Sequence, residues 1–268
     1  MGERETIENA PLPCTRESLA HDLRKLGVEA GMTLLMHSSL SALGWVAGGP
    51  VAVILALMDV ITPAGTIVMP TFTTDLSDPA KWRNPPVPEV WWQVIYDSMP
   101  AFDPRMTPTR RMGKIAETFR TWPGVLRSAH PTDSFAAWGR YAEHMTSEHL
   151  LDYGLGEGSP LARIYDLDGW VLLLGVGFGN NSSFHLAEYR VPNAEQTMQG
   201  APVIEDGRRE WKNYREVEIN DDPFPEIGAV FEKTGEVRIA KVGSATARLF
   251  RQRPAVDFAL KWLMNKEQ

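Results

Sequence analysis

The sequence predicts an α/β fold: a mixed, largely buried central sheet flanked by helices, with a Pro/Trp-rich insertion walling the active-site cleft. Three observations predict it. Short aliphatic runs bounded by glycine recur at residues 31–37, 65–70 and 170–176, as expected of strands covered on both faces. Amphipathic stretches of helical length lie before and between them. At 268 residues and 43% hydrophobic content, the chain can bury a large core. With no internal repeat or linker, residues 1–268 read as a single domain carrying a loop-rich insertion at about 75–111.

Residues 15–27 predict the first helix. Thr15 can cap it, Leu19, Leu23 and Leu26 share a face, and Gly27 stops it. The run from Gly31 to His37 (G-M-T-L-L-M-H) reads as a strand ending at His37, Ser38 and Ser39. A loop from Gly44 to Gly49 leads to Pro50, which suits the first turn of a helix from Val51 to Ile61. Gly65 to Pro70 is the second strand. In the insertion, seven prolines and three tryptophans fall within residues 76–110; the aromatic content argues for an ordered excursion rather than disorder.

Helices are expected to resume at Gly113–Arg120 and again at Ser134–Glu143, and Ser159-Pro160 reads as a cap followed by a helix. Trp170 to Val176 is a buried strand. Short strands are expected within 202–219 and 236–243. An amphipathic helix from Arg253 to Met264 closes the chain, with Val256 and Leu260 on one face.

The charge balance excludes one class. A net charge of −7 leaves no basic stripe for nucleic acid, while it suits a cationic small molecule. No apolar run approaches the roughly 20 residues of a membrane span, and the polar N-terminal stretch has no signal-peptide core; a cytoplasmic protein is expected. One cysteine, Cys14, cannot form an intrachain disulfide or a Cys-rich metal site.

Chemistry concentrates where the third strand ends. Gly175 to Glu188 (G-V-G-F-G-N-N-S-S-F-H-L-A-E) sets three alternating glycines before Asn180, Asn181, Ser182, Ser183, His185 and Glu188. A strand end is a rigid platform for a polar loop. The His185 imidazole can take a proton near neutral pH, and a carboxylate three residues on can orient it or hold a cationic substrate. Gly48 and Gly49 before a helix can turn backbone N–H groups toward an anion, with Ser38, Ser39 and Ser41 nearby. Arg127, Ser128, His130 and Ser134 form a second polar cluster that reads equally as a turn and a helix cap. Neither a Walker A loop nor a G-x-G-x-x-G fingerprint is present, and no G-x-S-x-G elbow. Tyr189 stands where an H-x-x-E-H motif would need its second His, so no local zinc spacing exists. A site assembled from His37, His130 and His185, which would make a metal-dependent hydrolase, lacks such support.

Together these segments resemble the aminoglycoside 3-N-acetyltransferase family. The resemblance runs from His37 to about residue 245. It rests on H-S-S-L at 37–40, G-T-I-V-M-P-T-F-T at 65–73, N-P-P-V-P at 84–88 and P-A-F-D-P-R-M-T-P-T-R-R-M-G at 100–113. R-S-A-H-P at 127–131, E-G-S-P-L at 157–161 and the N-x-S-x-H-x-A-E run ending at Glu188 complete it. It implies acetyl-coenzyme A as co-substrate, no metal, and direct acetyl transfer to an amine of the antibiotic's 2-deoxystreptamine ring. Carried over, His185 is the general base, oriented by Glu216 in preference to Glu218, and Ser182, where the family commonly has Thr, donates to the thioester oxygen. Asp75 and Glu188, with Glu218, would bind the substrate's ammonium groups. His37, Ser38, Ser39, Val46 and Gly49, the segment holding Thr107, Arg110, Arg111 and Met112, and Arg127 with Ser128 would hold coenzyme A. A monomer and a homodimer both fit. Within the fold, a non-antibiotic amine is the alternative acceptor, and a coenzyme A-binding protein without turnover is the non-catalytic one.

Overall fold

The computed structural model describes residues 7–8 and 12–266. Its strands are β1 (Thr33–Ser38), β2 (Thr66–Pro70), β3 (Leu126–Arg127), β4 (Phe135–Gly139), β5 (Trp170–Leu174), β6 (Gln196–Glu205), β7 (Arg208–Val217), β8 (Arg238–Val242) and β9 (Ala245–Arg251). Seven form one sheet in the order β3-β4-β2-β1-β5-β9-β8, and β6 and β7 form a separate hairpin. The centre is parallel, with β1 between β2 and β5. Antiparallel strands flank it on both sides, β4 and β3 beyond β2, β9 and β8 beyond β5. The mixed sheet is the one the sequence predicts.

The helices are α1 (Arg16–Leu26), α2 (Gly49–Ile61), α3 (Trp92–Ser98), α4 (Gly113–Arg120), α5 (Ala142–Thr146), α6 (Pro160–Asp166), α7 (Ser183–Arg190), α8 (Phe224–Glu232) and α9 (Gln252–Lys266). Alternate side chains of a strand point to opposite faces, and the core divides accordingly. Leu34, Met36, Ile67, Met69, Leu172 and Leu174 pack with α1, α2 and α4. Leu35, Val68, Val171, Leu173 and Phe250 pack on the other face with α6, α7, α8 and α9. Thr15 Oγ1 accepts from Ser18 N–H and Gly27 closes α1 in a left-handed conformation, as its sequence signals require. The Ser159 cap and Pro160 start of α6 also form as expected.

Beyond β3, α3 and α8, which the sequence did not announce, two elements differ from the expectation. The helix expected over 134–143 is instead β4, followed by the short α5. Phe135, Ala136 and Ala137 are fully buried and pair with Pro70, Met69 and Val68, so tertiary pairing overrides the helix preference of the alanines. Gly139 makes this approach feasible. It sits at φ +102°, and a Cβ there would lie 2.1 Å from the Gly65 carbonyl oxygen. The second difference is β9, for which no strand was expected; it covers the edge of β5 over five paired residues.

The Pro/Trp-rich excursion is ordered and docks on the β6–β7 hairpin. Lys81 Nζ donates to Thr197 Oγ1 at 2.8 Å, Phe102 N–H to Pro202 O at 3.1 Å, and Arg209 Nε to Met99 O at 2.6 Å. Tyr96 meets Trp211 edge-on with ring centroids 4.8 Å apart.

Candidate active site

Because β2, β1 and β5 are parallel, their carboxyl ends share one rim of the sheet, the position where open α/β sheets place ligands. A cavity of about 250 Å³ opens there. Met36, His37 and Ser38 of β1 line it, with Pro70 at the end of β2, Phe72 just beyond it, and Val176 and Gly179–Ser182 from the turn after β5. Arg111 and Met112 close one side and His185 enters from α7; of the excursion, its last residue Arg111 reaches this cavity, while the Pro/Trp-rich part with Trp82 and Pro85 lines a neighbouring recess.

His185 has a dedicated partner. Its Nδ1 lies 2.6 Å from Glu188 Oε2, and both side chains are largely buried. Three residues along a helix bring two side chains together on one face. Glu188 Oε1 accepts Asn220 N–H at 2.8 Å, so the carboxylate is held at both oxygens. The Phe224 ring lies 4.9 Å from the imidazole. With Nδ1–H donated to Glu188, Nε2 is left as the acceptor.

This geometry corrects the expected orienting residue. Glu216 does not reach His185. Its carboxylate accepts Gly154 N–H at 2.9 Å and the Tyr189 hydroxyl, and burial together with the nearby Asp133 carboxylate pushes it up to about 8. Glu188, expected to face the substrate's ammonium groups, is instead engaged with His185 and Asn220. The three-residue spacing in sequence is what brings Glu188 to His185.

A groove of about 640 Å³ continues from the cavity, sharing Ser38, Arg111 and Met112 with it. Ser39, Ser41, Val46, Gly49, Pro50 and Lys114 line its length. Gly48 and Gly49 both take positive φ at the start of α2, leaving the helix N-terminus toward the groove. Lys114, which sequence reasoning missed, adds a second cation beside Arg111. Of the residues expected to hold coenzyme A, the structure brings together His37, Ser38, Ser39, Val46, Gly49, Arg111 and Met112.

Four others are placed differently. Arg127 spends its guanidinium inside the protein: Nε donates to Thr71 Oγ1 and Ser134 Oγ, Nη1 to the carbonyls of Pro104 and Thr107, and Nη2 to Thr71 O. Ser128 is fully buried, bonded to His149 Nδ1 and accepting Phe135 N–H. Thr107 is tied to Asp103 N–H. Arg110 pairs with Asp75 at 3.0 Å, both side chains about half exposed, in a neighbouring recess that is lined also by Arg83 and Trp82 and shares Arg111 with the cavity. The polar groups of Arg127, Ser128 and Thr107 are engaged within the fold before a ligand arrives.

Behind Glu188 a further recess of about 570 Å³ is lined by Glu195, Glu218, Asp222 and Glu226 as well as Trp262. Glu218 therefore faces an acidic hollow. Ser182 is nearly buried at the head of α7.

Among the described residues, one trio could gather a metal: His130, Asp133 and Glu216, with ligand atoms within 4.8 Å. Each is already engaged. His130 Nδ1 accepts Asp133 N–H at 2.9 Å, its Nε2 meets Leu151 O at 3.1 Å, and Asp133 accepts from Thr132 Oγ1 at 2.7 Å. No helix among the described residues is long and apolar enough to cross a membrane.

Comparison with known proteins identifies the family. A family model described as aminoglycoside 3-N-acetyltransferase matches residues 35–264. The chain is 50% identical over 265 residues to the SPbeta prophage-derived aminoglycoside N(3')-acetyltransferase-like protein YokD of Bacillus subtilis (strain 168), covering 98% of this chain and 97% of that one. The crystal structure of YokD superposes with a TM-score of 0.97, covering 98% of both chains. Aminoglycoside N(3)-acetyltransferase III of Pseudomonas aeruginosa is 35% identical over 262 residues, 95% of each chain. A structure of AAC-IIIb binary with CoASH matches at 32% identity and TM-score 0.85, covering 95% of this chain and 98% of that one. A family model over most of its length and relatives over nearly all of it place the chain in the aminoglycoside 3-N-acetyltransferase family.

Proposed function

We propose that the chain, as a single domain, transfers the acetyl group of acetyl-coenzyme A directly to the 3-amino group of the 2-deoxystreptamine ring of aminoglycosides in the cytoplasm, with His185 as general base in a ternary complex. The observation that carries this reading is the His185–Glu188 pair, whose imidazole lines a cavity that continues into a long groove. An aminoglycoside amine is mostly protonated at neutral pH and attacks a thioester only from its neutral fraction, the first proton going to solvent. His185 Nε2 takes the second proton, which the nitrogen sheds as its bond to the carbonyl carbon forms, a contribution typically worth ~10²–10⁴ in rate. Glu188 holds the ring in its tautomer and stabilises the imidazolium that forms.

The residues present fit coenzyme A. The groove offers length for the pantetheine arm, and Arg111, Lys114 and the α2 N-terminus offer positive charge for its phosphates. Ser182 presents a hydroxyl at the cavity for the thioester oxygen. The acidic hollow of Glu195, Glu218, Asp222 and Glu226 suits a polycation. A thiol-release assay with acetyl-coenzyme A across an amine panel, with the acetylated position assigned by NMR, tests the reading. Turnover with aminoglycosides, modified at the 3-amino group, is expected. Turnover only with other small amines would move the acceptor class. Loss of activity on exhaustive chelation, restored by zinc, would overturn the mechanism in favour of metal-dependent chemistry.

A further inference from the structure

Buried polar groups nearly always find a partner, and each one left without costs about 1–3 kcal/mol. Among the described residues, His37 Nε2 and Asn181 Nδ2 are two of four buried side-chain atoms that have none. Both residues line the cavity that holds His185. They come from adjacent strands: His37 is the penultimate residue of β1 and pairs in register with Leu173 of β5, and Asn181 lies in the turn that follows β5. The orphan half of each side chain is a donor or can become one. Asn181 Oδ1 accepts Ser183 N–H at 3.3 Å, which fixes the amide and leaves its Nδ2–H₂ free. Burial and the neighbouring charge of His185 push His37 down to about 3, so its ring stays neutral while His185 works. A neutral imidazole with Nε2–H donates without competing for the proton that His185 must take.

We propose that His37 Nε2–H and Asn181 Nδ2–H join the Ser182 hydroxyl as hydrogen-bond donors to the thioester carbonyl oxygen in this cavity, a role that rests on the acetyl-coenzyme A reading above. When the acceptor nitrogen forms its bond to the carbonyl carbon, the π electron pair moves onto the oxygen, where the donors meet it. His185 Nε2 takes one proton from that nitrogen. The pair on oxygen then re-forms the carbonyl, the C–S bond breaks, and the departing coenzyme A thiolate takes the proton back from His185. The products are the acetamide and free coenzyme A thiol. Donors fixed before the reaction stabilise the developing charge without reorganisation, and removing one typically costs ~10²–10³ in kcat.

Isotope-edited infrared spectroscopy of acetyl-coenzyme A labelled with ¹³C at the carbonyl, bound to the enzyme without acceptor, reads the contact directly. Calorimetry with free coenzyme A, which has no carbonyl on sulfur, serves as the reference. In the wild type, the carbonyl stretch is expected to fall on binding. Asn181→Ala and His37→Ala should each lose most of that shift and about 10²-fold or more in kcat, with affinity for free coenzyme A nearly unchanged. His37→Gln, which restores a donor, should recover part of both, and it replaces His37→Ala if that variant fails to fold. Wild-type enzyme that binds no coenzyme A would overturn the acetyl-coenzyme A reading. Normal coenzyme A binding with an unaltered carbonyl shift in folded Asn181 and His37 variants would overturn this assignment alone.

Discussion

His185 Nδ1 and Glu188 Oε2 lie 2.6 Å apart, one turn of α7 from each other, and Glu188 is anchored from behind by the Asn220 backbone. The proposed base and its carboxylate partner therefore sit on one rigid element, with no dependence on a loop to bring them together. Such pairs resist the small misplacements that reduce catalysis elsewhere.

His185→Ala should lower kcat by about 10²–10⁴ while leaving the affinity for both substrates within a few-fold. Glu188→Gln should lower kcat by a comparable factor, because an amide can stabilise the wrong tautomer and cannot balance the imidazolium. Single-turnover rates alongside thermal melts on the same samples check this. A folded Glu188→Gln enzyme with ordinary turnover would leave the carboxylate without an orienting role.

Glu216 should act on stability and its pH dependence. Its carboxyl is raised from an ordinary 4.5 to about 8 by burial and the Asp133 charge. The folded protein thus holds a proton there that the unfolded chain releases between those values. The resulting stabilisation is fully present below about pH 4.5 and lost as pH rises toward 8. Glu216→Gln cannot ionise, so the melting temperature of the variant relative to wild type should climb across that interval. Parallel melting curves from pH 5 to 8 would contradict the assignment.

Arg111 and Arg127 should separate binding from folding. Arg111→Ala and Lys114→Ala should weaken coenzyme A several-fold, more so at low salt, as expected for phosphate contacts near the surface. Arg127→Ala strands the carbonyls of Pro104 and Thr107 and should cost about 2–4 kcal/mol of stability, with coenzyme A affinity preserved in the folded fraction. Denaturant melts paired with calorimetry give both quantities.

Gly139→Ala should be among the most damaging single-methyl additions. The left-handed backbone and the Gly65 carbonyl 2.1 Å from the added carbon leave neither a conformation nor a space for it. The variant is expected to express poorly or melt far below wild type. A near-wild-type melt would show that β4 and β2 can part without loss of the fold.

Much of the fold was legible because its central strands and first helices carry local signals: glycine-bounded aliphatic runs, the Thr15 cap, the Gly27 stop. β4 was hidden because Ala136 and Ala137 prefer helices and only the neighbouring β2 makes them a strand. β9 was hidden because its alternation of alanine, threonine, arginine and leucine is weak until β5 lies beside it. In the site, His185 and the groove residues near Ser38 announced themselves through motif and position. Arg127 and Ser128 occupy an equally suggestive motif, yet their bonding partners lie at distant positions such as Thr71, Pro104 and His149. A sequence shows which groups are polar; it does not show which polar groups the fold has already consumed.

The parallel trio at the centre of the sheet separates the rim that carries the cavity from the opposite one. At the far rim, Ala30 and Gly31 form an exposed turn ahead of β1; Gly31, at φ +84°, must stay glycine, and Ala30 is the exposed position open to attachment. A strand of six residues at about 3.3 Å per residue separates that turn from the cavity by roughly 20 Å. The turn is accordingly a place to graft a fluorophore, an affinity tag or a second protein and leave the chemistry at the opposite end undisturbed.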